Sequence, residues 1–262
     1  MVDKTLQDIR RTKLHWNEHA GRYDDYYKNF RGAVEQHVDL ALLKKHLPKR
    51  NLTILDAAGG TGRIALPLAK MGHTVTLCDL SPKMLEVAKK KMSRNGVLDK
   101  VKLFECDICR IPFPDKSFDF IICYGDCIKA LKELARVTDR RGMISMCLSS
   151  RLGAAVHGFR EKPRHALELL MAKKDYDYDE RDKYGVVNEC EARKLMEKAG
   201  FEIIKIYAYD LWNALAIPKR ILESRDWDNN FFNQTVEIIL RLSQEPSIQG
   251  ISRRWVVYGR RF

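Results

Sequence analysis

A glycine-rich turn with carboxylates around it is the part of the sequence best suited to binding a ligand. The string Asp56-Ala57-Ala58-Gly59-Gly60-Thr61-Gly62 follows a short apolar segment. Glycines there let the backbone turn tightly and approach a ligand closely, and a helix that follows presents unpaired N–H groups. Asp79 closes the next apolar segment, 23 residues beyond Asp56. A carboxylate at that point can accept hydrogen bonds from both hydroxyls of a ribose.

The turn by itself fits more than one nucleoside-containing ligand. Gly60 to Ala65 matches G-x-G-x-x-A, the fingerprint of a dinucleotide site. Two features favour a ligand with an ammonium group over a pyrophosphate. Asp56 precedes the glycines, and a second acidic site, Asp107, follows a third apolar segment, where an adenine ring would be held at the switch point of a sheet. A nicotinamide-dependent oxidoreductase remains an alternative at this point.

Strands and helices in alternation must position these residues. This rhythm predicts a parallel sheet with both faces covered by helices. Ser81 and Pro82 are typical of the N-cap and first position of a helix, with Met84, Leu85, Ala88 and Met92 as its buried stripe. Residues 5–47 are predicted to be helical. The predicted strands are Leu52–Asp56, Thr74–Asp79, Val101–Cys106, Phe118–Tyr124 and Met143–Ser149, with helices at Gly62–Met71 and Lys129–Val137.

After Ser150 the alternation is interrupted. We predict an inserted helix at residues 158–174, an acidic, tyrosine-rich loop from Asp175 to Tyr184, a helix at Glu189–Ala199, strands at Phe201–Tyr209 and Arg254–Gly259, and two helices within 210–250. The fold class is therefore α/β: a Rossmann-like, seven-stranded, mostly parallel sheet with a helical lid formed by C-terminal insertions. Three regions are expected, with residues 1–50 closing the ligand site, 51–150 forming the binding core, and 151–262 completing the sheet and the lid.

Composition narrows the class of protein further. The 262 residues carry a formal charge of +12, but the basic residues are dispersed, so charge alone does not decide for a nucleic-acid partner. The charged N-terminus lacks the apolar stretch of a signal peptide, and a cytoplasmic location with no membrane partner is expected. Seven cysteines are interpreted as reduced thiols. Cys106 and Cys109 form a C-x-x-C pair without a second pair at zinc-ligand spacing, so no metal is expected.

Residues from about 52 to 149 resemble the class I S-adenosylmethionine-dependent methyltransferases. The string D-A-A-G-G-T-G resembles the variant seen in ubiquinone/menaquinone-biosynthesis C-methyltransferases, a type 11 methyltransferase group. Val75–Met84, Asp107–Asp119 and Glu133–Val137 resemble later motifs of the superfamily. Trp16–Asp24 resembles a leading segment that helps to close the cofactor pocket in relatives.

This resemblance implies a role for each matching position, with S-adenosyl-L-methionine as the cofactor. The loop from Ala58 to Gly62 would surround the methionine part, and a carbonyl near Ala58 would accept from its amino group. Asp79 would hold the ribose hydroxyls, Asp107 would accept from the adenine amino group, and Tyr124 would lie near the sulfonium. Ala58 occupies a position that is more often glycine, which is tolerable if its φ stays negative. The full cofactor-binding set is Tyr23, Asp56, Ala58, Gly59, Gly60, Thr61, Gly62, Asp79, Leu80, Met84, Asp107, Ile108 and Tyr124.

The acceptor is less closely defined than the cofactor. No N/D-P-P-Y/F motif follows the fourth strand, which argues against methylation of nucleobase amino groups, and no Pro-Cys nucleophile is present. A small-molecule acceptor is therefore favoured, with an RNA methyltransferase as the alternative; a non-catalytic binding protein also remains open. Candidates for a general base are His19, Asp126, His157 and Tyr184. An apolar acceptor pocket is predicted within the lid, lined by Trp212, Leu215, Trp227, Phe231 and Phe232.

Overall fold

A central sheet organises the chain in the computed structural model, which describes residues 4–125, 128–159, 162–171 and 186–262. The strand order is β3-β2-β1-β4-β5-β8-β7, and β6 pairs with β5 beside this path. All pairings are parallel except those of β8, which runs antiparallel to β5 and β7. The strands are β1 (Thr53–Ala57), β2 (Thr74–Asp79), β3 (Val101–Glu105), β4 (Phe118–Cys123), β5 (Thr138–Ser150), β6 (Val186–Val187), β7 (Phe201–Tyr209) and β8 (Arg254–Arg261).

Helices cover both faces of the sheet, as the alternating pattern predicts. Short 3₁₀ turns lie at Tyr23–Lys28, Leu98–Lys100 and Ile128–Ala130. The helices are α1 (Lys4–His19), α2 (Phe30–His46), α3 (Ala65–Lys70), α4 (Pro82–Arg94), α5 (Leu131–Val137), α6 (Arg151–Gly158), α7 (Pro163–Met171), α8 (Glu189–Lys198), α9 (Trp212–Leu215), α10 (Lys219–Leu222), α11 (Asn229–Leu242) and α12 (Pro246–Ile251). Within the described ranges, no helix is long and apolar enough to cross a bilayer.

Successive residues of the central strands point into two separate cores. In β1, Ile54 belongs to a core with α2, α3, α4 and α11, whereas Leu55 belongs to a second core with α5 and α8. Both side chains are fully buried. A strand buried on both faces has a nearly continuous apolar sequence, and this explains why these strands are recognisable from sequence.

The central elements confirm the predicted Rossmann-like α/β class. The strand Thr74–Asp79 and the strand Phe201–Tyr209 have the predicted bounds. Ser81 caps α4 by accepting from the Met84 N–H, and the buried residues of α4 are the predicted stripe. Across the described residues the sheet has eight strands instead of the predicted seven. The additional strand is the two-residue β6, which pairs with the last two residues of β5.

Two elements near the site differ from their predicted bounds. The helix predicted from Gly62 begins at Ala65, because Gly62 has a φ of +75°, in the left-handed region, which is incompatible with a right-handed helix. The fifth strand begins at Thr138 instead of Met143. A register shift between Phe118 and Phe120 of β4 accommodates this extension, and Gly142 and Arg141 (φ +65°) lie within it.

The helical regions are divided more finely than predicted. The region 5–47 forms two helices separated by the 3₁₀ turn at Tyr23–Lys28. The helix predicted at 158–174 corresponds to α7, which begins at Pro163, and α6, capped by Ser150, is an additional helix before it. Residues 210–250 hold four helices instead of two, because Pro218 caps α10 and Pro246 opens α12. The predicted loop from Asp175 to Tyr184 lies outside the described residues.

Candidate functional site

The glycine loop lies at the carboxyl edge of the sheet, next to the neighbouring parallel strands β1 and β4. From β1 the chain continues to β2 on one side, and from β4 it continues to β5 on the other. Gly59 N–H donates to the Cys78 carbonyl at 3.0 Å, which attaches the loop to β2. Gly62 is packed so closely against α4 that a Cβ there would lie 2.5 Å from Met92 Cε. The loop is thus held against β2 and α4, and the crevice at this topological switch point is where open α/β sheets bind ligands.

Asp79 connects the loop to the second strand. Its carboxylate accepts from Gly60 N–H at 2.9 Å and from Ser81 N–H at 2.8 Å. The side chain is buried, and burial raises the pKa of its carboxyl group above the usual range. The backbone hydrogen bonds act in the opposite direction and lower this pKa. A buried carboxylate fixed by two backbone donors is an oriented acceptor for ligand hydroxyls at the mouth of the loop.

A recess lies over Gly60, bordered by three of the predicted residues. Gly60 has a φ of +55°. A Cβ built there would be 3.9 Å from Met84 Sδ, 4.0 Å from Asp79 Oδ2 and 4.0 Å from Tyr23 Cε1. The structure therefore brings Tyr23, Asp79 and Met84 together at the loop, although they come from three separate elements.

Ala58 departs from the conformation expected for it. Its φ is +56°, whereas the expectation from sequence is a negative value. The left-handed region costs an L-residue roughly 1–2 kcal/mol. The loop and the end of β4 approach closely here, since a Cβ on Gly125 would lie 2.9 Å from Ala58 Cβ. The turn geometry thus overrides the residue's own preference.

Asp56 lies beneath the loop as a buried acid. Its Oδ2 has no hydrogen-bond partner among the described residues, and only the Ala65 N–H is directed to the carboxyl group. Burial raises the pKa of Asp56 to about 7. A partly unsatisfied carboxyl group under a ligand-binding loop is consistent with a cationic group placed above it.

The remaining predicted residues surround the same edge. Asp107 is half-buried two positions beyond β3, and its Oδ1 accepts from Cys109 N–H at 2.9 Å. Ile108 is buried and Leu80 half-buried. The Tyr124 hydroxyl hydrogen-bonds with Ser145 Oγ at 2.9 Å, which directs it toward β5. Cys106 hydrogen-bonds with Cys78, and this contact raises the pKa of the Cys78 thiol.

The N-terminal segment is attached to the loop through pairings that the sequence did not indicate. Thr61 Oγ1 donates to Asp24 Oδ1 at 2.6 Å, and Lys91 Nζ lies 2.8 Å from Asp24 Oδ2. Ser81 Oγ donates to Asn17 Oδ1 at 2.7 Å. The resemblance marks the segment Trp16–Asp24 as a whole, but the pairing of Asp24 with a lysine 67 positions later has no local signal.

A cavity of about 380 Å³ opens on the other side of Tyr23. It lies between the N-terminal segment, α2 and the start of β8. Most of its wall is aromatic or cationic. The lining residues are Trp16, His19, Arg22, Tyr23, Tyr26, Tyr27, Glu35 and Arg254.

A buried ion pair lies behind Tyr27, one of the lining residues. Asp39 accepts from Arg63 Nη1 at 2.7 Å and from the Tyr209 hydroxyl at 3.2 Å. Arg63, which directly follows Gly62, also lies over the ring of Tyr27 at 4.6 Å. The network therefore connects the residue after the glycine loop with α2 and β7.

The predicted general bases and lid residues separate in space. His19 lines the cavity, whereas His157 is in the last turn of α6 and does not line it. Asp126 and Tyr184 lie outside the described residues. The predicted acceptor pocket among lid aromatics is wrong. Trp212 and Phe232 are buried in the core beneath α2, where Phe30 packs against Trp227, Phe231 and Phe232.

Comparisons with known proteins agree with this architecture. A family model described as a methyltransferase domain matches residues 54–142. The ubiquinone/menaquinone biosynthesis C-methyltransferase UbiE of Rickettsia bellii is 31% identical over 179 residues, covering 61% of this chain and 72% of the relative. The same enzyme of Rickettsia massiliae is 28% identical, covering 72% of this chain and 88% of the relative.

Solved structures share the fold at low sequence identity. Magnesium protoporphyrin IX methyltransferase (ChlM) from Synechocystis PCC 6803 with bound SAH has a TM-score of 0.58 at 15% identity, covering 97% of this chain and all of the other. A possible histamine N-methyltransferase from Thermotoga maritima has a TM-score of 0.58 at 18% identity, covering 94% and 98%. At these identities the likeness concerns the fold alone.

Proposed function

Because the chain belongs to the class I S-adenosylmethionine-dependent methyltransferases, we propose that it methylates a small molecule held in the cavity beside Tyr23. The cofactor S-adenosylmethionine supplies an electrophilic methyl group on a sulfonium. Transfer of that group is an in-line displacement, so the protein chiefly holds the acceptor in line and excludes water.

The residues at the glycine loop suit this cofactor. The carboxylate of Asp79, fixed by Gly60 and Ser81 N–H groups, would accept from the ribose hydroxyls. The unsatisfied, buried Asp56 would favour the ammonium group of the methionine part. Asp107 and Ile108 would contact the adenine, with Leu80 and Met84 lining it.

The N-terminal segment would cover the bound cofactor. Asp24 bonds to Thr61 and Lys91, and Asn17 bonds to Ser81, so the segment is attached at both ends of the loop region. Tyr23 lies over Gly60 between these two attachments. This position would let its ring exclude water from one side of the cofactor while it borders the acceptor cavity on the other.

His19 is the candidate base that the fold brings to the cavity. Its Nδ1 lies 2.7 Å from the His15 carbonyl, which can only accept. In the neutral ring Nδ1 therefore carries the proton, and Nε2 is left with its lone pair. The relatives are named C-methyltransferases, which transfer the methyl group to carbon. A carbon acceptor activated by loss of a proton requires such a base.

The observation that carries the proposal is the orientation of Asp79 at the recess over Gly60. It is tested by incubating the protein with methyl-labelled S-adenosylmethionine and fractionated cell extract, with Asp79→Ala as the matched variant. We expect label in the small-molecule fraction with the wild type and no label there with Asp79→Ala. Ribonuclease-sensitive label, or label in protein, would overturn the choice of acceptor.

A further inference from the structure

The cavity beside Tyr23 combines aromatic rings with cations in a pattern that selects for a ligand chemistry. Trp16, Tyr23, Tyr26 and Tyr27 contribute four rings to a space of about 380 Å³. Trp16 and Tyr23 meet edge to face at 6.0 Å between centroids, as do Tyr26 and Tyr27 at 5.0 Å. Such walls favour flat, conjugated molecules, which stack on rings at little cost in conformational entropy.

Among the described lining residues, Glu35 is the one carboxylate, and it is already neutralised. Glu35 Oε2 accepts from the Tyr26 hydroxyl at 2.8 Å. Glu35 Oε1 accepts from Arg31 Nε at 3.0 Å and from Trp212 Nε1 at 2.7 Å. With three donors, one of them an arginine, Glu35 neither attracts a cationic ligand strongly nor cancels the remaining charges of the wall.

Two arginines are among the described residues that line the cavity. Arg254 is oriented by the Tyr209 ring, 5.4 Å away, and by Asp210, 4.0 Å away. Asp210 is bonded more closely to Arg31, at 2.9 Å. Arg22 is exposed on the N-terminal segment. The wall thus presents two guanidinium groups against one compensated carboxylate.

The two ends of the cavity lie near different strands of the sheet. Tyr23 borders the glycine loop after β1, whereas Arg254 begins β8, three strands away in the order β1-β4-β5-β8. Neighbouring strands lie about 4.8 Å apart, so the backbone of β8 lies roughly 14 Å from that of β1. A ligand in the cavity would have its reacting end toward the loop and its other end toward Arg254.

We infer that the acceptor is a planar aromatic molecule with an anionic group, such as a carboxylate, at the end remote from the methylated atom. This inference rests on the proposed function, because it names the acceptor class for the same cavity. The rings of Trp16, Tyr26 and Tyr27 bind the conjugated part. Arg254 binds the anion, for which the planar guanidinium is well suited, and the positive charge of Arg22 adds to the attraction.

The test is calorimetric titration of the full chain saturated with S-adenosylhomocysteine. Three probes separate the two requirements: indole-3-acetate, its neutral isostere indole-3-acetamide, and the non-aromatic anion cyclohexylacetate. We expect indole-3-acetate to bind at least about tenfold more tightly than either of the others, since a charge-assisted pair or a stacked ring is lost in each. Arg22→Gln should reduce the preference for the acid over the amide, and Trp16→Leu the preference for the indole.

Arg220→Gln, an exposed arginine on α10, is the matched control and should leave all three affinities unchanged. Equal binding of acid and amide, or no binding of indole-3-acetate to the S-adenosylhomocysteine complex, overturns this inference and leaves the proposed function standing. Failure of S-adenosylhomocysteine itself to bind overturns both.

Discussion

The glycine loop and the aromatic cavity lie on the two sides of Tyr23, yet different parts of the chain form them. The loop and the backbone hydrogen bonds that fix its shape involve residues 56–81, with further contacts from Tyr23, Asp24 and Met92. The cavity joins residues 16–35 to Arg254, and side-chain ion pairs of Glu35 and Arg254 support its wall. One site is therefore encoded locally and held by the backbone, whereas the other depends on contacts between residues up to 179 positions apart.

This difference has a consequence for how each region tolerates change. A loop held by backbone hydrogen bonds depends on conformation and on one or two carboxylates, so few substitutions should abolish cofactor binding. A cavity of side chains can change its preference one residue at a time without loss of the fold. Substitutions in the two regions, and at the boundary between them, test that contrast.

Asp56 should make the stability of the cofactor region depend on pH. Its pKa is raised from 3.8 to about 7 in the folded protein. The folded state thus retains a proton that the unfolded chain releases, and the unfolding free energy falls by roughly 4 kcal/mol as pH rises from about 4 to about 7. Asp56→Asn should remove this part of the pH dependence, measured by urea unfolding across that range. Asp99→Asn, an exposed control, should retain it. Parallel pH profiles for wild type and Asp56→Asn would contradict the assignment.

Phe232→Ala should affect stability and leave catalysis unchanged. The ring is buried among Phe30, Trp227 and core residues of α2. Truncation of a buried phenylalanine costs about 3–5 kcal/mol. The melting temperature should fall while the acceptor KM, measured well below that temperature, stays unchanged. Phe231→Ala, at an exposed neighbour, should cost less. A raised KM for Phe232→Ala would instead restore the lid aromatics as acceptor contacts.

Asp79→Ala should weaken binding of S-adenosylhomocysteine by about 100-fold, because hydrogen bonds to a charged group contribute roughly 1.5–3 kcal/mol each. Calorimetry measures the affinity, and circular dichroism checks the fold. Glu105 pairs with Asp79 in the register of β2 and β3 but is exposed, so Glu105→Ala is the matched control. Equal losses for the two variants would show that the carboxylate of Asp79 has no special place in the site.

Asp24 and Asp25 offer a comparison of adjacent carboxylates at the junction of the two regions. Asp24 bonds to Thr61 and Lys91 across the loop, whereas Asp25 pairs with Lys28 of its own turn. Asp24→Ala should weaken S-adenosylhomocysteine binding roughly fivefold, since the pair is partly exposed and contributes about 1 kcal/mol. Asp25→Ala should leave the affinity unchanged. If both variants bind like the wild type, the N-terminal segment does not close the cofactor site.

Ala58 should show the smallest effect. Its left-handed backbone favours glycine by roughly 1–2 kcal/mol, while the added freedom of glycine in the unfolded chain costs about 0.5–1 kcal/mol. Ala58→Gly should therefore leave the unfolding free energy unchanged or raise it slightly. Ala41→Gly within α2 should lower it by about 1 kcal/mol. A loss of similar size at both positions would contradict the strain assigned to Ala58.

The centre of this molecule is closely predictable from its sequence. Strands β1, β2 and β4 are buried on both faces, so each appears as a short apolar run, whereas β3 at the edge of the sheet is largely exposed. The predicted ends of all four strands agree with the structure to within one residue. The carboxylates that follow β2 and β3 necessarily meet at one edge, because parallel strands share their direction. The convergence of Asp56, Asp79 and Asp107 therefore follows from the pattern of strands and acids alone.

The backbone of the turn is predictable only in part. The glycines indicate a tight turn, but no rule from residue type places Ala58 at a φ of +56° or delays α3 to Ala65. These features follow from the close packing of the loop against β2, Met92 and the end of β4. Steric contacts with distant elements override local preference there.

The order of strands and helices, the glycine turn and the acids that follow the strands were all present in the sequence, because each of these depends on neighbours within a few residues. The tertiary fold was needed to show that the C-terminal aromatics stabilise α2, and that the aromatic cavity lies among N-terminal tyrosines and Arg254. The cause is the range of the interactions. Arg31 meets Asp210 and Glu35 meets Trp212 across more than 170 residues, and such pairs leave no periodic signal in a single sequence.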